Sequence, residues 1–254
     1  MNFGICCVPV SPLMAEASHR AEMVTQLIFG EQCRIVEEGN DNWIRIRGLY
    51  DNYQGWCQQY QIQPLEQELD TPVSMVGEWQ TEILYNSITM HIPYAAQIPG
   101  LVNGSASWGD AHIAFHGKLV TPSKELFNPK SLREIAFTFI NSSYLWGGKS
   151  VFGVDCSGFC QTVFKFFEIP LMRDASQQAT QGEIVGSLQE ARCGDLAFFD
   201  NTEGRITHVG ILLNEAEIIH SSVKVRVDRI DDKGIVNTDT GNRTHQLKTI
   251  KRYK

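Results

Sequence analysis

The spacing of apolar positions changes part-way along this chain. Up to residue 122 the pattern is short and strand-like, with little helical periodicity. Trp43, Arg45 and Arg47 alternate with Ile44 and Ile46, which is the two-residue period of a β-strand. Leu27-Ile28-Phe29 and Cys33-Arg34-Ile35-Val36 are similar pieces, and Gly39-Asn40-Asp41-Asn42 and Asp51-Asn52-Tyr53 supply turns. Residues 1–65 therefore read as a small β-barrel-like module. Residues 66–122 read as a second β-rich unit, with strands at Ile83-Leu84-Tyr85 and 111–115 and a turn at Pro99-Gly100. Thr121-Pro122-Ser123 and Asn128-Pro129 bracket a linker.

From residue 131 the pattern becomes helical. Ser131-Leu132-Arg133-Glu134 has the form of a capping box ahead of Ile135 to Ile140. A second helix is predicted to start near Asp155, with Phe159, Val163, Phe166 and Phe167 on one apolar side and Pro170 closing it. Strands follow at 195–199, 206–213, 218–221, 223–227 and 249–253. Helices first and strands afterwards predict an α+β domain over 123–254 with a mainly antiparallel sheet. The fold class expected is thus multidomain: all-β modules followed by an α+β domain.

Charge narrows the range of functions. Lys and Arg number 22 against 29 Asp and Glu, a net −7. An acidic chain lacks the basic surface that sequence-independent nucleic-acid binding needs. No apolar run approaches the ~18 to 20 residues of a membrane helix. The first residues carry no Lys or Arg ahead of an apolar stretch, which favours a cytoplasmic protein or one whose signal was removed. The seven cysteines have no C-x-x-C pair and are odd in number, which argues against a disulfide framework and against a structural zinc site.

One thiol stands apart. Glycines 147, 148 and 153 approach Cys156, which opens the second predicted helix behind Asp155 as N-cap. The helix dipole and free N–H groups there favour a thiolate, with a pKa below the ordinary ~8.5. Cys6, Cys7, Cys33, Cys57, Cys160 and Cys193 have no such setting and are read as packing. A thiol nucleophile needs a base, and the base an orienting group. His208 and His220 lie in strand-like segments twelve residues apart, room for a strand, a turn and a returning strand. They could share one face of a hairpin, His208 as base and His220 on its other nitrogen. Each taken alone reads as structural before it reads as catalytic. His19, His91, His112, His116 and His245 have no such context.

At these residues the sequence resembles the NlpC/P60 cysteine peptidases. The matching pieces are Tyr144-Leu-Trp-Gly-Gly, Gly153-Val-Asp155-Cys156-Ser157-Gly158, Gly194-Asp195-Leu-Ala-Phe-Phe, His208-Val-Gly-Ile and Ile219-His220-Ser221, in the family's order over about half of the chain. The resemblance implies a papain-like catalytic domain with Cys156 as nucleophile, His208 as general base, His220 as the orienting third residue and Tyr144 near the oxyanion. It implies no metal and no cofactor.

A nearer resemblance is to the γ-D-glutamyl-L-diamino acid endopeptidases, which carry SH3-like (SH3b) modules before the catalytic domain. Arg173-Asp174-Ala175-Ser176-Gln177-Gln178 and Gly204-Arg205-Ile206-Thr207-His208 look like segments of that subgroup. The implied substrate is a small murein peptide, cut after L-Ala-γ-D-Glu and before meso-diaminopimelate or Lys. A free N-terminal amine is required, because an SH3b module narrows the cleft. Asp155 matches the subgroup's amine-binding aspartate. Ser157, Asp174, Trp146, Glu22 and Tyr53 complete the implied substrate-binding set, the last two as an acid and a tyrosine of the first module. The resemblance implies no nucleic-acid or membrane partner and leaves the oligomeric state open.

Three departures stand out. Residues 66–122 do not align readily with an SH3b module, Met172 stands where proline is common, and Ala175 stands where a serine is usual. Rival readings are a hydrolase of intact peptidoglycan, an amidase or acyltransferase on the same fold, and a catalytically silent wall-peptide binder.

Overall fold

The computed structural model describes residues 2–254. The chain divides into two units, one of residues 1–122 with 146–151 and one of 123–145 with 152–254. No helix among the described residues is long and apolar enough to cross a membrane.

The first unit is built from strands. β1 (Phe3–Cys6), β2 (Val10–Met14), β3 (Met23–Ile28), β4 (Gln32–Glu38), β5 (Trp43–Gly48), β6 (Gln54–Gln58) and β7 (Ile62–Leu65) form one sheet in the order β3-β2-β6-β5-β4-β1-β7. The alternation read in β5 is what buries it: Ile44 and Ile46 face a core with Leu13, Leu27 and Cys57, while Arg45 faces water. Trp43 is buried too, with His19 against its ring at 4.9 Å.

Next come β8 (Met75–Val76), β9 (Gln80–Tyr85), β10 (Ile88–Pro93), β11 (Ser105–Trp108), β12 (Ala111–Ala114) and β13 (Leu119–Val120). β9 to β12 make a four-stranded sheet, and β8 pairs with β13. These strands share a core with the first seven: Ile5, Ile28 and Phe29 pack with Ile83, Trp108 and Ile113. Gly30, at φ +80°, allows the approach, since a Cβ there would meet the Gln97 carbonyl at 1.8 Å.

Residues 146–151, which include β14 (Lys149–Ser150), belong to this unit although they lie just before the thiol in sequence. The Lys149 ammonium is buried against Glu31 at 3.2 Å, and its backbone N–H donates to Gln26 Oε1 at 2.9 Å. A buried ion pair is costly to split, so this segment is firmly held.

In the second unit α1 (Pro129–Phe137) starts two residues before the expected box. Asn128, not Ser131, is its cap: Asn128 Oδ1 accepts the N–H groups of Lys130 and Ser131, and Pro129 takes the first helical position. The Asn-Pro pair read as a linker is therefore a helix start. After β15 (Gly153–Val154), α2 (Cys156–Lys165) is buried from Cys156 through Phe164. It ends at Lys165, well before Pro170.

The short α3 (Ala175–Gln178) precedes β16 (Glu183–Val185), β17 (Leu196–Asp200), β18 (Ile206–Leu212), β19 (Glu217–Ser222), β20 (Lys224–Asp231), β21 (Gly234–Val236) and β22 (Arg243–Arg252). Their order is β16-β22-β17-β18-β19-β20-β21, and β21 also pairs with β22, so six antiparallel strands close on themselves. Ala197, Phe199, Leu212, Ile218, Ile235 and Ile250 fill one side. α2 packs on β18 and β19. The strand expected at 249–253 begins at Arg243, with consequences for the site.

Candidate active site

The chain delivers Cys156 by a capped helix start. Asp155 Oδ1 accepts the Gly158 N–H at 2.7 Å, which fixes the first turn of α2. The thiol is 6% exposed and lies against β18, where the Val209 backbone N–H reaches it. Val209 follows His208, so α2 packed on β18 sets the thiol against the strand segment that carries the imidazole.

β18 and β19 form the hairpin expected from the sequence, and both histidines are buried. Gly210 lies across from His220; a Cβ there would fall 2.8 Å from the His220 Cβ, so only glycine leaves room for the ring. Ser221 Oγ donates to the Val154 carbonyl at 2.7 Å, tying β19 to the approach of Cys156.

The hydrogen bonds set the tautomers. His208 Nε2 lies 2.8 Å from His220 Nδ1, and His220 Nε2 lies 3.1 Å from Asp228 Oδ2. Burial pushes the Asp228 carboxyl up, but hydrogen bonds from His220, the Thr238 N–H and Arg226 outweigh it and hold the group well below the usual carboxylate range. Ionised Asp228 can only accept, so His220 donates from Nε2. With that proton on Nε2, His220 Nδ1 is the acceptor for His208 Nε2–H. His208 is left with a lone pair on Nδ1, the atom available to take a proton.

Asp228 was not read from the sequence. Its place follows from the fold: β19 and β20 pair with His220 opposite Arg226, which puts Asp228 two residues along on the same face.

A second group surrounds Asp155. Arg173, 1% exposed, donates from Nη2 to Asp155 Oδ2 at 2.6 Å and from Nη1 to Oδ1 at 3.1 Å. Ser157 Oγ donates to Asp155 Oδ1 at 3.2 Å and accepts from Arg173 Nη1 at 3.0 Å. Arg173, part of the Arg173-Asp174-Ala175 segment, is thus the ionic partner of Asp155. Half-buried Asp174 precedes α3, where its N–H donates to Gln177 Oε1 at 3.2 Å.

Tyr144 is held on two sides: its N–H donates to the Val223 carbonyl at 2.8 Å, and it bridges Val154. Burial, then the charges of Cys156 and Asp155, push its hydroxyl well above the ordinary phenol range, so it stays a proton donor. The remaining candidates lie in the first unit. Exposed Glu22 accepts from Trp146 Nε1 at 2.7 Å, and Tyr53 sits in the turn before β6, its N–H donating to Asp51 Oδ1.

A family model described as the NlpC/P60 family matches residues 141–244, and one described as a bacterial dipeptidyl-peptidase Sh3 domain matches residues 13–62. A probable endopeptidase, an NlpC homolog of Haemophilus influenzae, is 30% identical over 150 residues, 58% of this chain and 79% of that protein. The chain belongs to the NlpC/P60 family. Among further NlpC/P60 relatives, a γ-D-glutamyl-L-lysine dipeptidyl-peptidase of Bacillus subtilis is 29% identical over 217 residues, 78% of this chain and 71% of that one. The crystal structure of an NlpC/P60 family protein from Bacillus cereus shares the fold, with a TM-score of 0.81, 18% identity and 99% of each chain covered. An N-terminal SH3-like β domain thus precedes an NlpC/P60 catalytic domain.

Two expectations about this NlpC/P60 site need correction. The helix start was expected to lower the Cys156 pKa. Instead burial pushes the thiol up to about 12, and the Asp155 carboxylate adds to the rise. Hydrogen bonds with the Val209 and Ser157 backbone and the Arg173 charge pull the other way without prevailing. Desolvation outweighs the dipole at so enclosed a position. Burial, with His220 and His245 nearby, pushes His208 well below the ordinary imidazole value. Burial thus favours the thiol at Cys156 and the neutral ring at His208.

The far-ultraviolet thiolate band, taken as wild type minus Cys156→Ala, should be absent at neutral pH and grow only in strong alkali. A band already full at neutral pH would instead show an ion pair. His245, a polar-segment histidine in the sequence, belongs to the site as well. Its ring lies stacked on His208, centroids 4.1 Å apart.

Proposed function

We propose that this protein is a cysteine peptidase that cuts the bond between γ-D-Glu and the diamino acid, L-Lys or meso-diaminopimelate, of small wall peptides with a free N-terminal L-Ala. The observation that carries the reading is the hydrogen-bonded series His208–His220–Asp228, with the buried Cys156 thiol against the strand that carries His208. The bond is proposed from the relatives named for γ-D-glutamyl-L-lysine and from the SH3-like domain that accompanies the catalytic one.

In this mechanism His208 Nδ1 takes the proton of Cys156 Sγ as sulfur attacks the γ-carbonyl carbon of D-Glu. The imidazolium that forms is supported through His220 by ionised Asp228, which orients and stabilises without itself being protonated. Tyr144 O–H and the backbone N–H groups around Cys156 are the donors proposed for the oxyanion; one such donor is worth about 10² to 10³ in rate. His208 returns its proton to the departing amine of the diamino acid. Water, deprotonated by His208, then attacks the thioester, releasing L-Ala-D-Glu and restoring the thiol.

Asp155, Ser157 and Asp174 are proposed to act in substrate recognition. Arg173 pairs with Asp155, and Asp174 stands at the start of α3. From the first unit Glu22, braced by Trp146, and Tyr53 are the proposed contributors. All seven cysteines are free thiols, which suits the proposed site of action in a reducing cytoplasm.

The test pairs L-Ala-γ-D-Glu-L-Lys with its N-acetylated copy and identifies products by mass spectrometry. Release of L-Ala-D-Glu from the free peptide alone is expected. Equal cleavage of both would remove the amine requirement, and cleavage of neither would overturn the substrate assignment.

A further inference from the structure

We propose that His245 is a positioning residue for the base: its imidazole lies flat against His208, fixes the plane of that ring and closes its outer face to water. The inference rests on the reading of His208 as the base. The two ring planes differ by 24°. His245 also meets His220 edge-on, centroids 5.8 Å apart at 90°, and Phe199 stands beside both rings, 5.7 Å from His208 and 5.8 Å from His245. The base is thus boxed by aromatic faces, while its Nε2 is committed to His220.

The sheet builds this box deliberately. β17 runs between β18 and β22, and its register slips on both sides close to Phe199: against β22 between Phe198 and Phe199, against β18 between Phe199 and Asp200. Such bulges turn side chains away from simple alternation, and they recur beside active sites. His245 Nδ1 lies 2.9 Å from Thr244 Oγ1, so that nitrogen is occupied locally. What His245 offers His208 is its face: packing and exclusion of water.

The physical need is clear. A base held by one hydrogen bond can still rock about it, and small misplacements of reacting groups are expensive in rate. Water on the open face of His208 would also raise its pKa, since solvation favours the charged ring. The titratable groups facing His245 are His208 on β18, His220 on β19 and Asp228 on β20, the last paired with Arg226. β17 presents Phe199, with the Asp200–Lys248 ion pair next along, and β21 presents Ile235 opposite. Burial first, and then His220, lower His245 to about 4, so the stack is one neutral ring on another over the neutral range.

The experiment compares His245→Ala, His245→Phe and His245→Gln in the full chain by two readouts. One is kcat and KM on L-Ala-γ-D-Glu-L-Lys. The other is the titration of the His208 ring nitrogens by NMR, without substrate. His245→Ala and His245→Gln are expected to lose about 10- to 100-fold in kcat with KM little changed. In both, His208 should titrate closer to the ordinary imidazole value. His245→Phe keeps a flat apolar face and should retain kcat within about threefold, with the His208 titration still low.

Wild-type kcat and an unchanged His208 titration in His245→Gln or His245→Ala would overturn the proposal. So would a Phe variant as impaired as Gln, since a ring nitrogen and not the face would then matter. Should Ala fail to fold, Gln against Phe carries the comparison. The titration needs no turnover, so loss of the base assignment, seen as full activity in His208→Asn, is distinguishable from failure of the stacking role.

Discussion

Replacing Cys156 by alanine is expected to lower kcat/KM on the γ-D-Glu peptide by at least about 10⁴-fold, with the fold intact. No second thiol can substitute. Cys160 is one turn further along α2, wholly buried, and burial raises its pKa well above the ordinary thiol value. Cys156→Ser should be nearly as inactive, because a hydroxyl is a poorer nucleophile beside the same base. His208→Asn should lose a comparable factor, since the members of such a group act as one and their losses do not add. Asp228→Asn should lose less. It leaves the thiol and base in place but allows His220 the wrong tautomer, so His208 no longer has a defined acceptor on Nε2. Thermal unfolding of each variant beside its kinetics separates chemistry from stability.

The second large effect concerns stability. Arg173→Met is expected to destabilise the catalytic unit by about 3–5 kcal/mol, because it strands a buried carboxylate at Asp155 without its counter-charge. The change keeps side-chain length and removes both guanidinium hydrogen bonds, at 2.6 and 3.1 Å, together with the contact to Ser157. For a unit of this size the midpoint of thermal unfolding should fall by on the order of 10–15 °C. The double variant Asp155→Asn with Arg173→Met should recover most of the loss. Asparagine still caps α2 and needs no counter-charge. If the double variant were as unstable as the single one, packing of the Arg173 stem and not charge pairing would be what matters. Either variant should also lose activity, since Asp155 sets the first turn that carries the thiol.

Much of this was legible in the sequence, and what was missed has physical reasons. The strand period around Ile44 and Ile46, the helix opening at Asp155 and the two histidines on a hairpin are local patterns, and local patterns survive without knowledge of the fold. The start of α1 was misread because two capping signals lay three residues apart and the stronger one, Asn128 before Pro129, looked like a linker. His245 sits in Gly241-Asn242-Arg243-Thr244-His245-Gln246, a polar stretch with turn residues and no alternation. Its strand exists because β17 and β21 flank it, a tertiary cause that no window of sequence contains.

Asp228 lies in Val225-Arg226-Val227-Asp228-Arg229, which reads as an ordinary strand with one wet face. The turn that folds it onto His220 runs through Val223 at φ 65°, a conformation β-branched residues rarely adopt, so no turn signal announces it. The sign of the Cys156 shift was misjudged because position along a helix can be read from sequence and depth of burial cannot.

The most direct test of the thiol mechanism is to treat the protein with L-Ala-γ-D-Glu carrying an electrophilic ketone at the γ-carbon and to map the adduct by mass spectrometry. One adduct per chain is expected, on Cys156, blocked by competing peptide and absent from His208→Asn on the same timescale. Labelling of the partly exposed Cys7 or Cys193 instead, with peptide cleavage unaffected, would contradict it.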